Sequence, residues 1–169
     1  VFETLKLTNP KAFVVENVRG LKTMWEGNVF KEIIKKFESA GYIVTESLLN
    51  SADYGVPQIR HRVFIVGIKK ELDKKFEFPK PEFDKDNYIT CGEAIDNLPS
   101  LENGELKSND YNEKPTTNFQ RYVMDCNKLY NHEATLHKQF VKETIALVPE
   151  GGNYKDLPKG VGDSRKFNE

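Results

Sequence analysis

Two short segments hold the residue types able to do chemistry. The first is Phe13-Val14-Val15-Glu16-Asn17-Val18, an apolar run that ends in a carboxylate and an amide. The second begins about forty residues later as Tyr54-Gly55-Val56-Pro57-Gln58-Ile59-Arg60-His61-Arg62 and continues into Val63-Phe64-Ile65-Val66-Gly67. A carboxyl group set beside apolar walls holds its proton more tightly than in water and can donate it. A guanidinium offers a planar fork of donors suited to phosphate, carboxylate or a ring carbonyl. Glu16 with Arg60 and Arg62 therefore suggests a site that holds a planar polar ring between an acid and a guanidinium. The plainer alternative for Glu16 is a cap for the next turn or a partner for a nearby arginine. For Gln58-x-Arg60-x-Arg62 it is a solvated edge with surface ion pairs.

These side chains need elements to position them. Val1–Thr8 reads as the end of a helix stopped by Asn9-Pro10. Ala12–Val15 is short, apolar and β-branched, which predicts a strand buried on both faces, as in a parallel sheet. Helical spacing of Val29, Phe30, Ile33, Ile34 and Phe37 predicts a helix over Asn28–Ala40, with Asn28 as N-cap, a Glu32–Lys36 pair on its outer face and Gly41 as its stop. Strands are expected at Tyr42–Leu49 and Arg62–Lys69. The strand-helix-strand order indicates an α/β sheet. At strand period, Gln58, Arg60 and Arg62 project to one side and His61 to the other. Residues 71–86 are charged and lead out of the sheet. Thr90-Cys91-Gly92-Glu93 reads as a capping box opening a short helix that ends at Leu98-Pro99. Residues 101–120 read as a loop or irregular insertion. A helix is expected over Phe140–Val148, with Phe140, Val141, Ile145 and Val148 on one face.

Composition sets bounds. A chain of 169 residues holds one or two domains. It contains no apolar run long enough to cross a membrane as a helix. Cys91 and Cys126 form no Cys-x-x-Cys pair and suggest two reduced thiols in a cytosolic protein. The net charge of −1 gives no global sign of nucleic-acid binding, but residues 1–70 carry 11 basic and 7 acidic side chains, so the basic excess lies with the two motifs. His132 and His137 are wrongly spaced for two metal ligands on one helical face. Trp25, Tyr54 and Tyr154 are candidates for base stacking, with ordinary packing the plainer role for each. The chain opens at Val1 without an initiator Met and has no clear closing element, which reads as the middle of a larger protein.

Taken together, the two motifs and the elements between them resemble the cytosine-C5 DNA methyltransferase family. Pro10 to Leu21 is very like its Glu-Asn-Val block, and Glu93-Ala94-Ile95-Asp96-Asn97-Leu98-Pro99 is similar to the segment leading toward its target-recognition region. Asn131-His132-Glu133 and Pro149 to Pro158 resemble bacterial members. The resemblance implies a Rossmann-like, S-adenosylmethionine-dependent sheet, with 1–86 the second half of the catalytic domain and 87–169 a linker and the start of target recognition. It implies an antiparallel pairing of the strands at 42–49 and 62–69, which the short connection also permits. It further implies that cytosine is flipped from double-stranded DNA, that a cysteine thiolate adds to C6, and that S-adenosylmethionine methylates C5. Glu16 would then serve N3 and the exocyclic amine, and Arg62 would serve O2. Gln58 and Arg60 would support the loop or the phosphates, and Asn17 would orient the turn carrying Glu16.

The family's Pro-Cys nucleophile and glycine-rich cofactor loop have no match here: Cys91 follows Thr90 and Cys126 follows Asp125. The cofactor would be bound mainly by parts outside this chain, and the piece alone would be inactive. A cognate restriction endonuclease is an expected functional partner, and the cytoplasm the expected location. Two rival readings stand beside this one: a non-catalytic nucleic-acid-binding homologue, and a tRNA cytosine-C5 methyltransferase.

Overall fold

The computed structural model describes residues 1–102, 104–105, 110–111, 113–124 and 128–162. Two compact units divide it, Val1–Ile95 and Asp96–Glu169. In the first, helix α1 (Phe2–Thr8) ends where Asn9 turns left-handed at φ 41°. Strand β1 (Ala12–Val18) follows, then two short 3-10 turns, helix α2 (Asn28–Ser39), strand β2 (Tyr42–Asn50), a third 3-10 turn over Ser51–Tyr54, and strand β3 (His61–Lys69). The sheet order is β1-β3-β2. Both pairings are antiparallel, with Glu16 opposite Phe64, Val18 opposite Arg62, and Leu49 opposite Arg62 on the other side. This is a mixed helix-and-strand arrangement, with the expected antiparallel pair in place.

One face of the sheet carries the core. Leu5, Leu21, Phe30, Phe37, Val63 and Ile65 are buried there, with Phe2, Phe13, Val15, Ile33 and Ile34 packed against them. The rings of Phe13 and Phe37 lie 4.7 Å apart, and Phe13 meets Tyr42 edge-on at 5.0 Å. Gly67 sits opposite Phe13 in the ladder because nothing larger fits: a Cβ there would come within 2.2 Å of the Phe13 ring. The final glycine of the Val63–Gly67 run thus makes room for the aromatic cluster.

Several expectations are corrected. β1 is not a parallel strand buried on both faces; it runs antiparallel to β3, and Val14 and Val18 are exposed on the face turned from α2. A short apolar run reports strand propensity but not which neighbours cover it. Asn28 does not cap α2. Gly27 holds the cap position at φ 81°, and Asn28 already has helical angles. The chain reaches that cap through left-handed Trp25 and Glu26. No Glu32–Lys36 ion pair forms among the described residues. The stop at Gly41 is as expected, at φ +90° with its N–H on Glu38.

The capping box at Thr90 is also present. Thr90 N–H donates to Glu93 at 2.8 Å and Glu93 N–H donates back to Thr90 Oγ1 at 3.2 Å. Helix α3 (Cys91–Ile95) ends earlier than expected, well before Pro99.

In the second unit, the stretch read as irregular, 101–120, runs at its end into helix α4 (Asn118–Val123), started by a capping box between Thr117 and Gln120. Helix α5 (Gln139–Ala146) buries Val141 alone of the expected stripe, while Phe140 and Ile145 are exposed. Cys126, one of the two thiols in the sequence, lies outside the described residues.

Candidate active site

Glu16 and Arg62 reach the same place from two adjacent strands. Val18 is opposite Arg62 and Glu16 is opposite Phe64, so the two charged side chains are diagonal neighbours on one face of an antiparallel pair. Arg62 Nε lies 2.7 Å from Glu16 Oε1. Arg62 Nη1 donates to the carbonyl of His61 at 2.9 Å. The apolar enclosure expected around Glu16 is not formed by these residues: its side chain is 46% exposed and that of Arg62 is 21% exposed. Glu16 stands with exposed Val14 and Val18 on the face of the sheet turned away from α2. The plainer sequence reading, an ion pair with a nearby arginine, is thus what the geometry contains. A pair on rigid strands also fixes the spacing of an acceptor and a planar donor fork, and that is what binding a polar ring requires.

The rest of the second motif is arranged differently from a continuous strand. β3 begins only at His61, so Gln58, Ile59 and Arg60 lie on an exposed approach to it and do not share a strand face with Arg62. The physical reason is local. Pro57 has no N–H to give a ladder. The Gln58 N–H turns back onto Val56 O at 2.7 Å, and the Arg60 N–H bonds the side chain of Asn50 at 3.0 Å.

An open concavity of about 280 Å³ results, lined by Val18, Arg19, Gln58, Ile59, Arg60, His61 and Arg62. His61 points across from Arg62 by alternation yet still borders this opening, because both stand at the start of the strand. Among the described residues, Arg19 and Arg60 have no carboxylate partner. A small hollow with three arginines around it favours an anionic ligand. Arg19 was not singled out by the sequence reading, although it directly follows the first motif. Asn17 lies on the other face from Glu16, and its Oδ1 accepts the Val18 N–H at 2.8 Å where the strand ends.

The remaining candidates fall elsewhere. Tyr54 donates to Pro79 O at 3.0 Å. Trp25 and Tyr154 are exposed. His132 Nε2 lies 2.7 Å from Pro99 O. Cys91 Sγ lies 3.6 Å from Pro57 O. No group of metal-ligating side chains occurs among the described residues, and no helix there is long and apolar enough to cross a membrane. Sequence reasoning missed Asn50, Asp53 and Tyr88, which hydrogen-bond one another beneath the arginine approach. The only hint was Asn50 beside a turn; nothing marked Tyr88.

The chain as a whole has counterparts among known proteins. The model of the C-5 cytosine-specific DNA methylase family matches residues 1–163. The chain belongs to that family. It is 35% identical over 167 residues to the type II methyltransferase M1.HphI of Haemophilus parahaemolyticus, covering 96% of this chain and 38% of the relative. It is 33% identical over 156 residues to M.NgoFVII of Neisseria gonorrhoeae, covering 89% of this chain and 34% of the relative. M.BsuRI of Bacillus subtilis is 49% identical over 72 residues, which span 43% of this chain and 16% of that protein. The chain therefore spans little more than a third of the first two relatives. A crystal structure of a prophage-encoded Escherichia coli protein described as a DNA modification methyltransferase superposes with a TM-score of 0.51 at 24% identity, over 61% of this chain and 30% of that one, and supports the fold.

Proposed function

We propose that the protein to which these residues belong is a DNA (cytosine-5)-methyltransferase. It acts on C5 of a cytosine flipped out of duplex DNA. One observation carries the reading: Glu16 and Arg62 meet at 2.7 Å on neighbouring strands, in a chain that matches the family from residue 1 to 163.

The pairing suits the chemistry. Nucleophilic addition at C6 places negative charge on the ring, shared by N3 and O2. A carboxyl group that gives or shares a proton at N3, and a guanidinium at O2, stabilise that charge as it develops. The ion pair uses Arg62 Nε and one carboxylate oxygen. The outer nitrogen Nη2 and the second oxygen of Glu16 are then the groups offered to the ring. Asn17 fixes the strand end beyond Glu16. Gln58, Arg60 and Arg19 hold phosphates flanking the flipped base.

S-adenosylmethionine supplies the methyl group when bound. The chain has no glycine-rich strand-to-helix turn and no Pro-Cys pair, so none of its residues is assigned to the cofactor or to the nucleophile. The 169 residues alone therefore transfer no methyl group. Residues 1–86 belong to the catalytic domain and 87–169 to the linker and the start of target recognition. The relatives named as type II methyltransferases support a role in restriction and modification; a cognate endonuclease as functional partner and a cytoplasmic location complete the proposal.

The test is product analysis. Full-length protein incubated with labelled cofactor and either duplex DNA or tRNA should place label in 5-methylcytosine of the DNA. Label in tRNA alone would favour the RNA reading. Tight DNA binding without transfer would favour a non-catalytic homologue.

A further inference from the structure

The loop that carries Gln58 and Arg60 is held at its base by a hydrogen-bonded trio. Asn50 is only 8% exposed, and both ends of its amide are used. Its Oδ1 accepts the Arg60 N–H at 3.0 Å, which ties the last residue of β2 to the residue before β3. Its Nδ2 donates to Asp53 Oδ1 at 3.0 Å and lies 3.2 Å from Tyr88 Oη. Tyr88 in turn donates to the same Asp53 oxygen at 2.5 Å.

Tyr88 comes from the segment that leaves the sheet, and it is not that segment's only hold on the loop. Glu82 and Phe83 donate their N–H groups to the Asp53 carbonyl at 2.9 and 3.1 Å. Pro79 O accepts the Tyr54 hydroxyl. The Phe83 ring lies so close to Gly55 that a Cβ there would be 3.0 Å from it, and Gly55 needs its left-handed φ of +80° to turn the chain.

We propose that residues 79–88 act as a strap across the 51–60 loop, and that Tyr88 and Asn50, joined through Asp53, are positioning residues for Gln58, Arg60 and Arg62. The catalytic part of this inference rests on the methyltransferase reading; the strap itself does not. The logic is preorganisation. Arginines on an exposed approach lose side-chain and backbone freedom when they grip DNA, and a loop already fixed in place loses less. The trio fixes the backbone at Arg60 without touching the ligand.

Two substitutions separate the parts. Tyr88→Phe deletes one hydroxyl. Asp53→Asn keeps an oxygen able to accept from both Tyr88 and Asn50. Amide hydrogen exchange is read in the full-length protein on peptides covering 51–60, with peptides of α2 as an internal reference. Tyr88→Phe should raise exchange in the loop by about tenfold, as expected for the loss of one hydrogen bond, and leave α2 unchanged. Asp53→Asn should stay near the parent protein. Single-turnover methyl transfer should follow the same order, Tyr88→Phe slowed about tenfold and Asp53→Asn nearly normal, with the melting temperature little moved in either. Unchanged loop exchange in Tyr88→Phe overturns the strap. Faster exchange with an unchanged transfer rate overturns the positioning role. If the parent protein transfers no methyl group to DNA, the functional reading fails instead, and the exchange data alone judge the strap.

Discussion

The proposed chemistry centres on the ion pair of Glu16 with Arg62. Glu16→Gln keeps a hydrogen-bonding side chain of the same size but cannot deliver a proton to N3. In the full-length enzyme it should slow methyl transfer by about a hundredfold or more, within the range for loss of a general acid, while changing DNA affinity far less. Single-turnover rates set against gel-shift affinities separate the two effects, and equal losses would assign Glu16 a structural role. Tyr88 offers a test by pH. The Asp53 carboxylate accepts its hydroxyl proton and opposes its ionisation, so Tyr88 is held above the ordinary 10.0. A group whose value is raised by folding adds stability below its unfolded value, and that stability drains away as pH rises through the folded one. Urea midpoints compared at about pH 9 and about pH 11 should therefore fall more for the parent protein than for Tyr88→Phe. Glu16 and Arg62 stand out in the sequence, because each borders a contiguous apolar run, and the structure brings the two side chains together. The Asn50–Asp53–Tyr88 trio does not stand out. A side-chain hydrogen bond spanning 35 residues leaves no periodic mark.

Strands β2 and β3 and helix α2 were legible from β-branched runs and helical spacing within a residue at each end, whereas β1, read as ending at Val15, runs on to Val18 because the polar Glu16 and Asn17 continue the ladder. The antiparallel partnership of β2 and β3 followed from the family resemblance, and the short connection between them permitted it. Burial was less legible. The pattern Phe13, Val15 inward and Val14, Glu16 outward is the alternation of a half-covered strand, but in Ala12–Val15 every residue is apolar and the alternation is invisible. The cap of α2 was misplaced for a related reason. Asn is a good cap by type, yet Gly27 already supplies the left-handed turn. Gly67 gives the element-scale test. Gly67→Val would push its side chain into the Phe13 ring and should destabilise the chain by about 2 kcal/mol or more. Gly67→Ala combined with Phe13→Leu should recover part of the loss in a double-mutant cycle measured by urea unfolding. Additive losses would mean that the two positions do not compete for the same space.

At the scale of the whole molecule, the proposal gives these residues one wall of a reaction centre. They hold an acid, a guanidinium and a basic approach, and lack a nucleophile and a cofactor loop of the family's kind. The 169-residue chain should accordingly show no micromolar binding of S-adenosylmethionine by calorimetry and no transfer of tritiated methyl to DNA. Either activity would show that the chain carries more of the centre than its motifs indicate. The division of the structure at Ile95 and Asp96 was not legible to the residue, since the capping box at Thr90 predicts a helix start and says nothing of where one compact unit gives way to the next.

The central claim, that Arg62 acts on the flipped ring beside Glu16, is tested most directly by transfer rate and salt slope in the full-length enzyme carrying Arg62→Lys and Arg62→Ala. Lysine keeps the charge and loses the planar fork. The account predicts that Arg62→Lys lowers the single-turnover rate by at least about tenfold while the salt dependence of DNA binding stays as in the parent. A phosphate contact would behave otherwise: Arg62→Ala would reduce the salt slope by about one unit, and Arg62→Lys would retain both binding and rate. A fully active Arg62→Lys enzyme would contradict the account.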